Sequence, residues 1–390
     1  MEKILSFIMS TVLMLSFAGC NSNDETNNGQ TDFGGGNDTN SVKALMNDMT
    51  LEEKVWQMMF VMPEDIINIE TAIQAGDATK EALESHPVGG IIYFAKNLKD
   101  RDQVKTMIAN TQSYSKIPLF IAVDEEGGRV ARLGSSGIID KLPPMKTIGD
   151  MPVEQGEKRA AEVGEFLGKE LTELGFNVDF APVADIITVE NNVDISDRSF
   201  GQEPDKVAKL VSAEVRAMQS NKLSATLKHF PSNGSTATNT HEGKGVCTRT
   251  LEQLRSEEFI PFKAGIEAGA DMVMVAHMTV ADIVENDTGK SMPSTLSKTV
   301  IEDLLRGECG FKKVVISDAL NMGAITNEYP IERAAVLAVK AGVNMLLMPA
   351  DANAAHAAVV NAVKSGDIQE STIDQSVEKI LRLKYEKGML

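Results

Sequence analysis

Short apolar runs alternate with longer amphipathic stretches along this chain from about Ser41 onward. Each run holds several aliphatic residues in succession and is short enough for a strand, a pattern typical of strands buried on both faces. The predicted strands are 88–94, 119–124, 177–183, 224–230, 271–277, 313–319 and 344–350, with an eighth near 60–62. Successive strands of this kind indicate a largely parallel sheet covered by helices.

Helical segments separate the predicted strands. Thr50 and Glu53 form a capping box before an apolar helix, and the segments 157–175, 251–269 and 330–342 end at or near glycine, as helix C-termini prefer. Seven or eight strands, each followed by a helix, predict one (β/α)8 TIM barrel of the α/β class, over residues 43–390. A doubly wound sheet is the alternative, but no GxGxxG or GxxxxGK(S/T) motif opens a strand-to-helix turn.

The first forty residues have a different character. Lys3 precedes an apolar run that ends in FAGC at 17–20, too short for a membrane span and typical of a secretory signal. This ending resembles the lipobox of bacterial lipoproteins, which implies that 1–19 is a signal peptide and that Cys20 is lipidated. An ordinary signal with an incidental cysteine is the alternative. The polar segment 20–42 is predicted to be a flexible tether, so we expect an exported protein anchored to a membrane by lipid.

The net charge, hydrophobic content and cysteine spacing of the chain disfavour several classes of protein. The 390 residues include 38 Lys and Arg against 56 Asp and Glu, a formal charge of -18, which disfavours nucleic acid as a partner. The 43% hydrophobic content is enough for a large core and excludes wholesale disorder. Three cysteines without CxxC or zinc-type spacing indicate neither a disulfide scaffold nor a metal site. We expect a monomer without cofactors, and whether Cys247 and Cys309 pair stays open.

Polar residues are concentrated where the predicted strands end, which in a (β/α)8 barrel is where the chemistry lies. Three of the five histidines, His229, His241 and His277, fall on strand ends or the loops after them, whereas His86 and His356 look structural. The other polar residues at these positions are Asn97, Asp124, Glu125, Glu126, Asp185, Lys228 and Asp318. One cluster at one end of the barrel is therefore the predicted site.

Several segments, in order, resemble glycoside hydrolase family 3. The most specific are VDEEGGRVARL at 123–133, KHFP at 228–231 and VVISDALNMGAI at 314–325, and GGIIYFAKN, NVDFAPVADI, DRSFG, AGADMVMVAHM and PSTLS fit the same order. The chain is most similar to the single-barrel β-N-acetylglucosaminidases of the NagZ type. The resemblance implies a retaining enzyme that removes terminal β-linked N-acetylglucosamine from the ends of glycans, including peptidoglycan fragments.

The resemblance also assigns catalytic roles. Asp318, in the SDAL motif after an apolar strand, matches the family's nucleophile, which needs only to be ionised and positioned. His241, on the loop after KHFP, matches the general acid and base, a role that suits an imidazole with a pKa of about 6.5. The family pattern places an Asp two residues before this histidine, where this chain has Asn239. Loss of a carboxylate beside a catalytic histidine can lower turnover by about 10⁴.

Charge-assisted hydrogen bonds suit a sugar rich in hydroxyl groups. The resemblance assigns these contacts to Asp124, Arg132, Arg198, Lys228 and His229. For Glu126 and Arg129 a structural role is the preferred interpretation.

Three alternatives remain open. Asn239 and the altered loop around it favour a catalytically impaired, glycan-binding lipoprotein on the same barrel. A family 3 β-glucosidase is the second, although in such enzymes the general acid usually comes from another domain, whereas this chain carries a loop histidine. The third, much weaker, alternative is an aldolase, in which Lys228 would form a Schiff base, or a phosphate-binding barrel.

Overall fold

Eight short parallel strands form the central sheet. The structure is a computed structural model, and it describes residues 36–237, 243–285 and 289–390. The strands are β1 (Met59–Val61), β2 (Gly90–Ile92), β3 (Phe120–Val123), β4 (Val178–Asp179), β5 (Ser224–Phe230), β6 (Met272–Val275), β7 (Val314–Ser317) and β8 (Leu346–Leu347). Every residue in them is buried, which is why each predicted strand is an apolar run rather than an alternating one.

The sheet closes into a barrel. Its strand order is β7-β6-β5-β4-β3-β2-β1-β8, so consecutive strands are neighbours and the two ends of the order are β7 and β8. These ends meet, because Ser317 N donates to Met345 O at 3.0 Å and Met345 N donates to Val315 O at 3.1 Å. The predicted (β/α)8 fold is thereby confirmed, and each of the eight predicted segments contains or overlaps one strand.

Helices surround the barrel. The α-helices are Gly36–Asn47, Leu51–Gln57, Pro63–Ile67, Asp77–Ser85, Arg101–Tyr114, Arg132–Ser135, Met145–Gly149, Val153–Leu174, Pro204–Ser220, Leu251–Gln253, Phe259–Glu267, Gly323–Thr326, Ile331–Ala341, Ala352–Lys364 and Glu370–Glu386. The described residues also form two π-helical stretches, Leu254–Glu258 and Thr299–Glu308, and four 3₁₀ turns, Ala95–Asn97, Ser196–Arg198, Asn233–Ser235 and Ser294–Leu296.

The predicted signals for the beginning and end of helices are present in the structure. The capping box is present, with Thr50 N donating to Glu53 Oε2 at 2.9 Å and Glu53 N donating to Thr50 Oγ1 at 3.2 Å. Gly175 and Gly342 end their helices at φ values of 100° and 106°, a left-handed conformation that favours glycine. No helix in the described ranges is long and apolar enough to cross a membrane.

Residues Asn37–Leu390 form one compact unit. The helix Gly36–Asn47 includes residues 36–42, which the sequence predicts as the end of a flexible tether. Val42 supplies the physical reason, because it is 1% exposed and packs into the core, so it anchors this helix. The predicted signal peptide, Cys20 and the tether before Gly36 lie outside the described residues.

Trp56 packs against two histidines before β1, and both described cysteines are buried. Trp56 lies directly before β1 and stacks on His356 at 4.2 Å between ring centroids, with His86 edge-on at 4.8 Å. Cys247 and Cys309 are both buried and free, so the pairing that the sequence left open does not exist. Burial raises the pKa of the Cys247 thiol to about 11 and that of Cys309 to about 12.

Candidate active site

A pocket of about 440 Å³ lies at the carboxyl ends of the barrel strands. Asp124 directly follows β3, Asp318 directly follows β7, and Lys228 and His229 lie near the end of β5. Arg132 and Arg198 reach the pocket from the loops after β3 and β4. Six of the predicted site residues therefore line one cavity: Asp124, Arg132, Arg198, Lys228, His229 and Asp318. The other two, Asn239 and His241, lie outside the described residues.

Lys228 lies at the centre of a buried ion-pair network. Its ammonium group lies 2.8 Å from Asp124 Oδ1 and 2.6 Å from Glu126 Oε1, and the side chain is 2% exposed. Burial disfavours the charge, but the two carboxylates outweigh it and raise the pKa of Lys228 above its usual value. A Schiff base requires the neutral amine, so this geometry contradicts the aldolase alternative.

Glu126 holds both buried cations in place. Its carboxylate accepts two parallel hydrogen bonds of 2.7 Å from Arg198, in addition to the contact with Lys228. Burial favours the neutral acid, but Arg198 and Lys228 together lower the pKa of Glu126 well below its usual range. Its side chain is 1% exposed, so Glu126 orients Arg198 and Lys228 from behind, in the structural role that the sequence suggested.

His229 is fixed by a second buried carboxylate. Its Nδ1 lies 2.7 Å from Asp185 Oδ2, and its Nε2 lies 3.4 Å from Arg198 Nη2. A guanidinium group only donates, so Nε2 accepts and Nδ1 carries the hydrogen that is donated to Asp185. Asp185 also accepts the backbone N–H groups of His229 at 3.2 Å and Asn233 at 2.7 Å. The sequence placed Asp185 at a strand end but gave it no role.

Arg132 and Asp124 form the more open side of the pocket. Their nearest charged atoms are 3.6 Å apart, and the side chains are 29% and 16% exposed. The guanidinium group lies over the ring of Phe94, 5.4 Å from its centroid. Within the described part of the chain, the buried Nε of Arg132 has no hydrogen-bond partner. Because the Arg132 side chain is partly exposed, its guanidinium group can also donate to a hydroxyl group in the pocket.

Arg129 lines the same pocket and braces its rim. Its Nε donates to Asp197 at 2.9 Å, and its Nη2 donates to the carbonyl oxygen of Val193 at 3.0 Å. These contacts hold the loop after β4, in keeping with the structural interpretation of Arg129. That loop also carries Arg198, so bracing it positions a residue of the buried network.

Asp318 lies on the pocket wall, immediately after β7. Its backbone N–H donates to Val275 O at 2.9 Å, which ties it to the end of β6. Its Oδ1 accepts the backbone N–H of Ala319 at 2.8 Å. The carboxylate is partly exposed and shares the cavity with Lys228 and Arg198, so a sugar held by these cations would lie beside it.

The segments before and after residues 238–242 both form hydrogen bonds with the buried Glu258. Glu258 accepts a hydrogen bond of 2.7 Å from Ser235 Oγ and one of 3.3 Å from Arg249 Nη2. Gly234 is needed next to Ser235, because an added Cβ would lie 1.8 Å from the carbonyl oxygen of Ile186. The segment that precedes the predicted general acid therefore has a fixed starting position, a support that the sequence did not reveal.

A (β/α)8 barrel whose strand ends surround a pocket of carboxylates and hydrogen-bonding cations has the organisation of a barrel enzyme. The chain belongs to glycoside hydrolase family 3. Residues 50–383 match that family's description, "Glycosyl hydrolase family 3 N terminal domain".

Known proteins agree with this assignment. The chain is 34% identical over 325 residues to "Beta-hexosaminidase A" of Pseudoalteromonas piscicida, a match that covers 78% of this chain and 54% of that protein. It is 37% identical over 248 residues to "Beta-hexosaminidase" of Stenotrophomonas maltophilia strain K279a, covering 63% of this chain and 71% of the relative. The chain thus spans only about half the length of the Pseudoalteromonas relative.

The fold is also similar to solved structures. One of them is a glycoside hydrolase family 3 β-N-acetylglucosaminidase from Paenibacillus sp. strain FPU-7, with a TM-score of 0.80 and 36% sequence identity. The similarity covers 87% of this chain and 63% of that chain.

Proposed function

We propose that this protein is a retaining, exo-acting β-N-acetylhexosaminidase that removes terminal β-linked N-acetylglucosamine. One observation carries the proposal: the carboxylate of Asp318, at the end of β7, shares one pocket with the Lys228–Glu126–Arg198 network. Such a pocket combines a nucleophile with charge-assisted donors for sugar hydroxyls. The names of the relatives support a hexosamine, and the name of the Paenibacillus structure supports an N-acetylated one.

The proposed reaction is a double displacement. Asp318 attacks the anomeric carbon and forms the glycosyl-enzyme, while His241 protonates the departing glycosidic oxygen. His241 then takes a proton from water, whose oxygen attacks the anomeric carbon and releases Asp318 as the free carboxylate. Asn239 can hydrogen-bond to His241 but cannot stabilise an imidazolium by charge, so we expect it to limit the rate.

An exo-acting mode fits the contents of the pocket. Phe94 and Phe180 are the aromatic side chains that line it among the described residues, while Trp56 packs directly before β1, away from the strand ends. A long cleft that binds many sugar units would present a row of aromatic rings. Asp124 and Arg132, on the more open side, are placed to bind the hydroxyls of one terminal sugar.

The natural substrate and location belong to the same proposal. We take the substrates to be cell-wall fragments ending in N-acetylglucosamine, and the protein to be exported and held at a membrane by lipid on Cys20. The signal-like segment 1–19 and the polar residues after it support this location. Membrane fractionation tests it: Cys20→Ser should release the protein, and its retention at the membrane would refute lipid anchoring.

An aryl β-N-acetylglucosaminide assay on the purified protein tests the activity, with Asp318→Asn as the control. We expect turnover by the wild type, essentially none by the control, and much slower release from the matching aryl β-glucoside. A faster β-glucoside reaction would favour the β-glucosidase alternative. Calorimetric binding of the sugar with no turnover above the control would refute the enzyme and favour the glycan-binding alternative.

The role of residue 239 has its own test. Asn239→Asp should raise kcat and broaden the pH range of activity, because the added carboxylate would stabilise the imidazolium of His241. Unchanged turnover and an unchanged pH profile would contradict this role and show that another group supports His241.

A further inference from the structure

His277 is a buried histidine that the proposed mechanism does not use. It follows the end of β6 by two residues and is 1% exposed. It was one of the three histidines that the sequence placed at strand ends, and the resemblance gave it no role. A polar ring buried so deeply is held by hydrogen bonds, and its partners indicate its role.

The ring connects the end of β6 to the turn that carries the nucleophile. Its Nε2 lies 2.9 Å from the carbonyl oxygen of Ala319, the residue after Asp318, and its Nδ1 lies 2.8 Å from Thr295 Oγ1. A carbonyl oxygen only accepts, so Nε2 carries a hydrogen and donates it to Ala319. Ala319 in turn donates its own N–H to Asp318 Oδ1 at 2.8 Å.

Thr295 provides a fixed base for this ring. Its Oγ1 lies 3.0 Å from Val275 O and 2.8 Å from Ala276 O, and its backbone N–H donates to Ala276 O at 3.0 Å. The hydroxyl is thereby held against the carboxyl end of β6. His277 therefore links the Asp318 turn to a strand of the barrel, in parallel with the bond from Asp318 N to Val275 O.

We propose that His277 is a positioning residue that sets the direction of the Asp318 carboxylate through Ala319. The inference rests on the proposed function, in which Asp318 attacks the anomeric carbon. Attack requires the carboxylate oxygen in line and close to that carbon, and a displacement of about 1 Å can lower the rate by about 100-fold. Removing the hydrogen bond from His277 should thus slow the chemical step and leave sugar binding intact.

The experiment compares His277→Leu and His277→Gln with the wild type. The Leu side chain fills much of the space of the ring but cannot donate, whereas the Gln amide can still donate to Ala319. We expect kcat for the aryl β-N-acetylglucosaminide to fall by about 10- to 100-fold in His277→Leu, with KM nearly unchanged. His277→Gln should recover a substantial part of kcat, since it restores the donor.

His356 offers a matched control. Its Nε2 also donates to a backbone carbonyl oxygen, that of Glu52 at 2.9 Å, but it packs against Trp56 rather than the pocket. His356→Leu should lower thermal stability without lowering the kcat of the folded protein. An equal loss of kcat in both Leu variants would overturn the inference, because it would show a general effect of losing a histidine bonded to a backbone carbonyl group.

Other kinetic results would also test the positioning role of His277. A kcat for His277→Leu within about twofold of the wild type, or a raised KM at unchanged kcat, would refute the positioning role. If His277→Leu does not fold, Thr295→Val replaces it, because this variant removes the hydroxyl partner of the ring, together with its contacts to Val275 O and Ala276 O, and should lower kcat in the same direction. No turnover by the wild type itself would refute the proposed function, and that outcome is distinct from a failure of the His277 variants alone.

Discussion

Glu126→Gln tests whether pairing, rather than burial alone, stabilises the charges beneath the pocket. In the wild type one carboxylate accepts two hydrogen bonds from Arg198 and lies 2.6 Å from the Lys228 ammonium. The amide of Gln keeps the size of the side chain but removes the negative charge. It also turns an NH₂ group toward two groups that can only donate. Arg198 and Lys228 would remain buried with too little negative charge between them.

The expected magnitude follows from the burial of these groups. Removing one partner from a buried ion pair costs about 3–5 kcal/mol, because the other charge stays desolvated. At about 2 °C per kcal/mol for a domain of this size, Tm should fall by roughly 6–10 °C near pH 7. Since Arg198 and Lys228 also lose their orientation, we expect KM for the sugar substrate to rise as well.

The stability lost in Glu126→Gln should depend on pH. The pKa of Glu126 is lowered in the fold, so its carboxylate contributes stability above its ordinary pKa of 4.5, and this contribution is lost as the pH falls below that value. The stability difference between the wild type and Glu126→Gln should therefore be largest near neutral pH and shrink in acid. Urea unfolding at several pH values measures it.

Glu214 is the matched control, a carboxyl group that is also buried but whose Oε2 has no partner among the described residues. Burial, assisted by the nearby Glu126 charge, raises the pKa of Glu214 from 4.5 to about 8, so it destabilises the fold as the pH rises through that range. Glu214→Gln should leave stability unchanged near pH 4.5 and raise it at pH 9. If both variants shifted stability in the same direction at neutral pH, the reasoning from pairing would be refuted.

Two further predictions concern other buried groups. Burial lowers the pKa of Lys384 from 10.5 to about 7, so the wild type gains stability as the pH rises from 7 to 10.5. Lys384→Met should therefore stabilise the protein by roughly 1–3 kcal/mol at pH 6, allowing for the donor that Gln57 loses, and by less at pH 10. Chemical unfolding at the two pH values checks this, and a loss of stability at pH 6 would contradict it. In full-length Cys20→Ser, Cys247 and Cys309 should resist a disulfide-exchange reagent at pH 8 until urea unfolds the chain, because both thiols are buried and their pKa values are raised. Rapid reaction of either thiol in the folded protein would show that it is accessible.

The strands were predictable because each is buried on both faces and therefore leaves an uninterrupted apolar run in the sequence. The assembly of Asp124, Lys228 and Asp318 was predictable for a related reason, since parallel strands bring their carboxyl ends to one side of the barrel. The helix at 36–42 was not predictable, because its sequence is polar. What holds it is the burial of Val42 against the rest of the fold.

The supports of the site were harder to predict than the site itself. Asp185 and His277 lie at strand ends like the pocket residues, and only distances in the fold distinguish a residue that lines the pocket from one that holds its neighbour in place. His277 contacts Ala319, 42 positions away, and Glu126 contacts Arg198, 72 positions away. Such partners leave no periodic signal along the chain, so these roles require the folded geometry.

The same geometry explains how a chain with a charge of -18 can bury cations in its pocket. Arg198 and Lys228 each pair with a carboxylate inside the barrel mouth, so their burial does not depend on the acidic surface. Glu126 pairs with both cations, Asp124 provides a second carboxylate for Lys228, and Asp194 provides a second one for Arg198. With their charges paired inside the pocket, both cations can donate hydrogen bonds to an uncharged ligand such as a sugar.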